Sequence, residues 1–321
     1  MLFRSRSPQL KGHIEQGREL KKIFLEPEKY SERGFMLPLI SDKYAVKKEK
    51  AVKPLTISYF TDPICSTCWI FQPLLRKLEL QYGEFIDIEY HMGGLLPSWE
   101  EYSKGMISNP SDAARLWDDM AHKHHMPLDG DIWIEDPLDS SYPPSIAFKA
   151  AQIQDSDKAI SFLRRMKEML FVEKKNINKW EHLEKAALTS GLDAALLRKD
   201  IAGQGHQRFM EDLKHAQELG IHVFPTLIFK VDGFSRLSLR GYQPYDRIEE
   251  YISKYVKGAK PAEIGLNVAQ LFDKFNQLNE SEIAFILDMD SSAVNEELEL
   301  LAAQDIIQAH HIKNGSYWTL S

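Results

Sequence analysis

The sequence predicts an α/β fold with a large helical insertion, followed by a small unit of helices and a hairpin. Three observations carry this expectation: a strand–helix–strand run over 55–92, helical periodicity over 98–215, and a strand–strand–helix run over 223–256. Two strands joined through a helix by short links form a βαβ unit, whose strands lie parallel. The chain has 321 residues, 43% of them hydrophobic and 27% charged, a globular composition long enough for two or more packed units.

Taken in order, residues 1–53 hold 13 Lys and Arg against 7 Asp and Glu and show no sustained periodicity. They read as a basic extension, with a short helix over LKKIFL. An interaction tail and an ordered strap both fit it. LTISYFT (55–61) is rich in β-branched and aromatic residues and reads as a strand. Asp62 and Pro63 break it, Asp62 as the start of a turn. Helical spacing then places Trp69, Leu74, Leu75, Leu78 and Tyr82 largely on one face, with a kink at Pro73 and a stop at Gly83. FIDIEYHM (85–92) alternates as a second strand.

Residues 98–215 read as almost wholly helical, with Trp117, Trp133 and Trp180 in their core. VFPTLIFKVDG and SRLSLRGY follow as strands, and PYDRIEEYISKYV as a helix with proline at its start. This order is thioredoxin-like, over 54–258. The tail, 261–321, reads as three helices, the third capped by Ser291, and a hairpin around Asn314-Gly315. That pattern suggests a small winged-helix-like domain. It holds 2 Lys and Arg against 10 Asp and Glu, so contact with protein is expected and not contact with DNA, whose binding depends on cationic neutralisation of phosphate.

The only cysteines are Cys65 and Cys68, in DPICSTCW. A disulfide-stapled secreted scaffold would carry many more. No second CxxC completes a structural zinc site, and His122, His124 and His125 read as a solvated stretch, so no metal is expected. The formal charge of −7 gives no general nucleic-acid affinity. With no signal-like leader and no apolar run of membrane-spanning length, a cytoplasmic protein is expected.

The pair falls where a strand ends and a helix begins, and the free N–H groups there stabilise an anion. Cys65 is therefore expected to have a lowered pKa and to act as nucleophile, with Cys68 as resolving thiol. The implied cycle is attack by Cys65 on a disulfide, a mixed disulfide, then release by Cys68.

DPICSTCWIFQP resembles the active-site segment of the DsbA-like thioredoxin-fold family, closest to its cytosolic dithiol–disulfide oxidoreductases and isomerases. HMGGLLPSW (91–99), FVEKKNINKWEHLEKAALTSGLD (171–193) and GIHVFPTLIFKVDG (220–233) fit the same family, so the resemblance covers roughly 55–256. It implies that Pro225 is a cis proline facing the cysteines and part of a substrate platform with Phe224 and Thr226. It implies a protein disulfide oxidoreductase or isomerase, acting on a disulfide- or thiol-containing protein or small molecule. No cofactor is required; glutathione or a dithiol reductant would serve as electron partner. Ser66-Thr67 between the cysteines, and Phe224 in place of a smaller residue, depart from the family pattern. The resemblance leaves two alternatives: an adaptor that delivers a regulator to a Clp protease, suited to the arm and acidic tail, and a glutathione-dependent small-molecule isomerase. Cys68 counts against the last.

Overall fold

The structure, a computed structural model, describes residues 52–102 and 107–321. All but the last two residues of the expected basic extension lie outside that range. Residues from Val52 onward form one compact unit.

At its centre is β1 (Leu55–Thr61), almost wholly buried, as its continuous run of β-branched and aromatic residues requires. β2 (Ile86–Met92) lies parallel to it, with Tyr59 opposite Tyr90, as expected of a βαβ unit. On the other side β3 (Thr226–Val231) runs antiparallel to β1, and β4 (Phe234–Arg240) completes the order β2-β1-β3-β4. Neighbouring side chains on a strand point to opposite faces. Tyr59 thus enters the main core, while Phe60 enters a smaller cluster with Ala216, Ile221 and Ile228.

The helix after β1 is two helices, α1 (Ser66–Ile70) and α2 (Gln72–Tyr82). Pro73 lacks the N–H that a continuous helix needs, so the chain breaks at Phe71 and restarts with proline in the first turn. The insertion comprises α3 (Pro110–His124), α4 (Ile132–Glu135), α5 (Tyr142–Gln154), α6 (Ser156–Phe171), α7 (Trp180–Thr189), α8 (Ala194–Asp200) and α9 (His206–Glu218). α10 (Tyr245–Tyr255) then packs Ile248 and Ile252 into the main core.

The C-terminal stretch contains α11 (Val268–Lys274), β5 (Gln277–Leu278), α12 (Glu280–Leu287), α13 (Ser291–Ala303), and the hairpin β6 (Ile307–Ile312) and β7 (Gly315–Leu320). Three helices and a hairpin occupy the expected places, and the short β5 adds a third strand beside β7. Ser291 is not the cap of α13: Asp290 precedes the helix and makes no side-chain cap bond. Asn267 and Asn279 instead form capping boxes with Gln270 and Glu282. This region has its own core around Leu271, Phe272, Ile283 and Leu298. Polar contacts join it to the rest: Glu282 meets Arg76 and Arg164, Lys77 meets Asp288 at 2.5 Å, and Lys313 meets Asp118 and Asp131 at 2.7 Å.

Candidate functional site

Cys65 is the N-cap of α1, and the Cys68 backbone N–H donates to its Sγ at 3.2 Å. The junction is therefore placed as the sequence implies, with both cysteines as free thiols. Across from them the Phe224–Pro225 bond is cis. The Cys65 thiol lies 3.8 Å from the Phe224 carbonyl oxygen, to which it donates. The fold thus brings Cys65, Cys68, Phe224 and Pro225 together. Thr226 stands behind the turn instead: it is fully buried, and its hydroxyl donates to the Val223 carbonyl at 2.7 Å. Its hydroxyl holds the turn from inside.

Phe224 finds room because residue 93 is glycine. A Cβ at Gly93 would come within 2.0 Å of the Phe224 ring. The loop that carries Gly93 is held by Asp62. The Asp62 carboxylate accepts from the Ile64 N–H at 3.0 Å, the Leu95 N–H at 2.7 Å and the Ser141 hydroxyl at 2.9 Å. Asp62 therefore does more than start a turn; it ties the cysteine loop to the 93–96 loop and to α5. Burial pushes its pKa up to about 6 against the opposing pull of these hydrogen bonds and of Lys167.

Lys167, on α6, is fully buried, and its Nζ donates to the Thr61 hydroxyl at 3.4 Å. Burial lowers its pKa, while the two cysteines and Asp62 act to raise it. Sequence reading missed this residue. Its signal was present, since Lys167 sits four residues after Leu163 and three before Leu170, on the apolar stripe of α6.

The thiols do not have the expected electrostatics. Burial pushes Cys65 well up, and the hydrogen bond and charge of Cys68 add to the rise; the Cys68 N–H and Lys167 oppose it and lose. Cys68 is brought down, because the bond from Cys65, the Lys167 charge and the Thr61 hydroxyl outweigh its burial. Both sulfurs are buried, the deeper one with 0% exposure and the outer one with 5%. A buried thiol whose pKa is raised is a slower nucleophile than the lowered one expected at the helix terminus.

In front of Cys65 lies a cavity of about 170 Å³, walled by Trp99, Tyr102, Trp117, Trp133 and Phe224. Trp117 and Trp133 are core residues, as expected, and also form this wall. Trp69 is core alone: its indole N–H donates to the Pro127 carbonyl at 3.0 Å, and its ring stacks on Phe171. Trp180 is only half-buried, under Arg198. Among the described residues no three His, Cys, Asp or Glu groups converge as metal ligands, and no helix is long and apolar enough to cross a membrane.

The sequence model of the family described as Thioredoxin matches residues 59–250. The chain belongs to this thioredoxin family. Its fold is DsbA-like. A structure from Nitrosomonas europaea described as a protein disulfide isomerase matches 63% of this chain and 98% of its own length, at 19% identity and a TM-score of 0.55. A DsbA oxidoreductase from Streptomyces coelicolor matches 67% and 94%, at 15% identity and a TM-score of 0.50. Identities this low show the fold alone.

Relatives over the greater part of this thioredoxin-family chain carry a different kind of name. The ClpXP adapter protein SpxH of Halalkalibacterium halodurans is 31% identical over 280 residues, 85% of this chain and 90% of that protein. The protein of the same name from Bacillus subtilis is 31% identical over 275 residues, 83% of this chain and 89% of its own. These relatives overturn the expectation of an oxidoreductase or isomerase enzyme: they are named as adaptors, and they keep this fold in that role.

Proposed function

We propose that this chain is a protease adaptor, a non-catalytic protein that brings a client to ClpXP. The observation that carries the reading is the 31% identity to ClpXP adapter proteins over 85% of the chain, which extends beyond the thioredoxin-like core into the C-terminal region that a core-only likeness would leave out. The thiol environment is in keeping with it, since burial raises the pKa of Cys65 and so slows its attack on a disulfide. Fold likeness to oxidoreductases carries little weight against this, because one fold hosts many functions.

On this reading the face made by Phe224, Pro225 and Cys65 is a contact platform for a protein partner, with Cys68 and Thr226 supporting it from behind. An extended partner segment would rest beside the cis-proline turn, with one apolar side chain in the aromatic-walled cavity. The chain works without turnover of a thiol substrate.

The test is pulse-chase proteomics in the host cell, comparing wild type with deletion of this gene and with deletion of clpX. One or a few proteins should lose their rapid degradation in both deletions. A gene carrying Cys65→Ala and Cys68→Ala should restore degradation to within about twofold, since on this reading the thiols do no chemistry, Cys68 only supports the face, and Cys65, 5% exposed, offers it little contact area. If no protein is stabilised by both deletions, the adaptor reading is wrong.

A further inference from the structure

We propose that the cleft between α6, α7 and the C-terminal sheet binds an acidic, extended peptide segment of a partner protein. The cleft has a volume of about 1030 Å³, and its lining includes six Lys and Arg against three Glu. That excess is unusual in a chain whose formal charge is −7. Even with the buried Glu282 behind the wall added, cations lead.

The distribution of partners sharpens the point. Arg164 is satisfied by Glu168 and Glu282, and Arg165 by Glu168 and Glu173. Lys175, Lys185 and Lys274 are exposed around the opening, and none has an ion-pair partner among the described residues. Arg76 lies deeper, over the Phe275 ring at 4.2 Å, and the His310 and Tyr317 rings stack at 4.8 Å along the other wall. The site therefore offers three free ammonium groups at its rim and aromatic faces inside. A peptide of alternating carboxylate and apolar side chains matches both features.

Charge also excludes this chain's own basic segment as the occupant, because residues 1–53 carry the same excess of cation. The inference deepens the adaptor reading by naming the chemistry of one partner, and it rests on that reading only for calling the segment part of a client or protease. Peptide binding is measured without either, so one can fail while the other stands.

The experiment is fluorescence anisotropy of the full chain with a labelled peptide of alternating Glu and Leu, and with the matching Gln and Leu peptide. The Glu peptide should bind, weaken with added salt, and lose about tenfold in affinity when Lys175, Lys185 and Lys274 are all changed to Glu. A control with Lys254, Lys257 and Lys260 changed to Glu alters net charge equally and lies outside the cleft, so binding should stay within about twofold. Should the triple variant fail to fold, Lys185→Glu with Lys274→Glu gives the same reading. Equal binding of the Gln peptide, unchanged affinity in the cleft variant, or equal loss in the control would overturn the proposal. Tighter binding of a single-stranded oligonucleotide would overturn the choice of partner.

Discussion

Arg164 on α6 and Glu282 on α12 form a two-pronged ion pair, with Nη1–Oε1 at 2.9 Å and Nη2–Oε2 at 3.1 Å. Glu282 also receives Arg76 at 3.0 Å and is itself fully buried. One carboxylate therefore bridges two buried guanidinium groups and fastens the C-terminal region to the helical insertion. Removing its charge takes the ion-pair partner from Arg76 and leaves Arg164 with Glu168 alone, in a region of low polarity. Glu282→Gln is expected to lower the free energy of unfolding by about 3–5 kcal/mol. Urea titration at neutral pH measures this. In an Arg164→Met background the same change should cost less, because one of the stranded cations is gone. Equal losses in the two backgrounds would show that the pair is not coupled.

The Asp62 carboxyl predicts a pH dependence of stability with a definite sign. Its folded pKa is raised from 3.8 to about 6, chiefly by burial. Between those values the folded chain binds more protons than the unfolded one, so stability falls as pH rises. The penalty is complete above about pH 6 and amounts to roughly 3 kcal/mol at the usual value per pKa unit. Asp62→Asn is expected to flatten the unfolding free energy between about pH 4 and 6. The slope is the readout, because the amide also places a donor against the Leu95 N–H and lowers stability at every pH. A slope unchanged from wild type would mean that Asp62 does not titrate in this range.

The sulfur chemistry gives a third expectation. With Cys65 held well above its ordinary pKa by burial and by Cys68, alkylation by iodoacetamide should be slow at neutral pH and keep accelerating beyond about pH 9. Lys167→Met removes the buried cation that draws charge onto Cys68, and should raise the Cys68 pKa. Mass-spectrometric rates for each cysteine against pH separate the two. A Cys65 rate that levels off near neutral pH would restore the thiolate originally expected at the helix terminus.

Strand and helix order were legible because each depends on local periodicity: β1 and β2 alternate or run apolar, and α6 repeats at helical spacing. The cysteine junction was legible for the same reason, and Pro225 through family resemblance. Residues whose environment is set by distant parts of the chain were not. Asp62 meets Ser141 across 79 positions, and Lys167 meets Thr61 across 106. Helical spacing sets Lys167 on the buried stripe of α6, but no local pattern tells which groups it meets there, or that burial raises the pKa of a thiol at a helix terminus. The expectation of an enzyme failed for a related reason: a CxxC and the turn opposite it report a fold that hosts many functions, and relatives over most of the chain are named as adaptors.

Gly93 and Phe224 offer the last test, one of shape and not of charge. Gly93 has no positive φ, so it is needed only for space. Its added Cβ would lie 2.0 Å from the Phe224 ring, so Gly93→Ala must push the ring aside or move the loop held by Asp62. The expected loss is about 1–3 kcal/mol, the usual range for overpacking a filled site. The displaced ring should also shift the Phe224 carbonyl from Cys65 and speed alkylation of that thiol. Phe224→Ala removes the obstacle, so in that background Gly93→Ala should cost close to nothing, and denaturant titration of the four proteins gives the coupling directly. Additive losses would show that the ring does not depend on the glycine, and that the platform opposite Cys65 is held in place by the cis-proline turn alone.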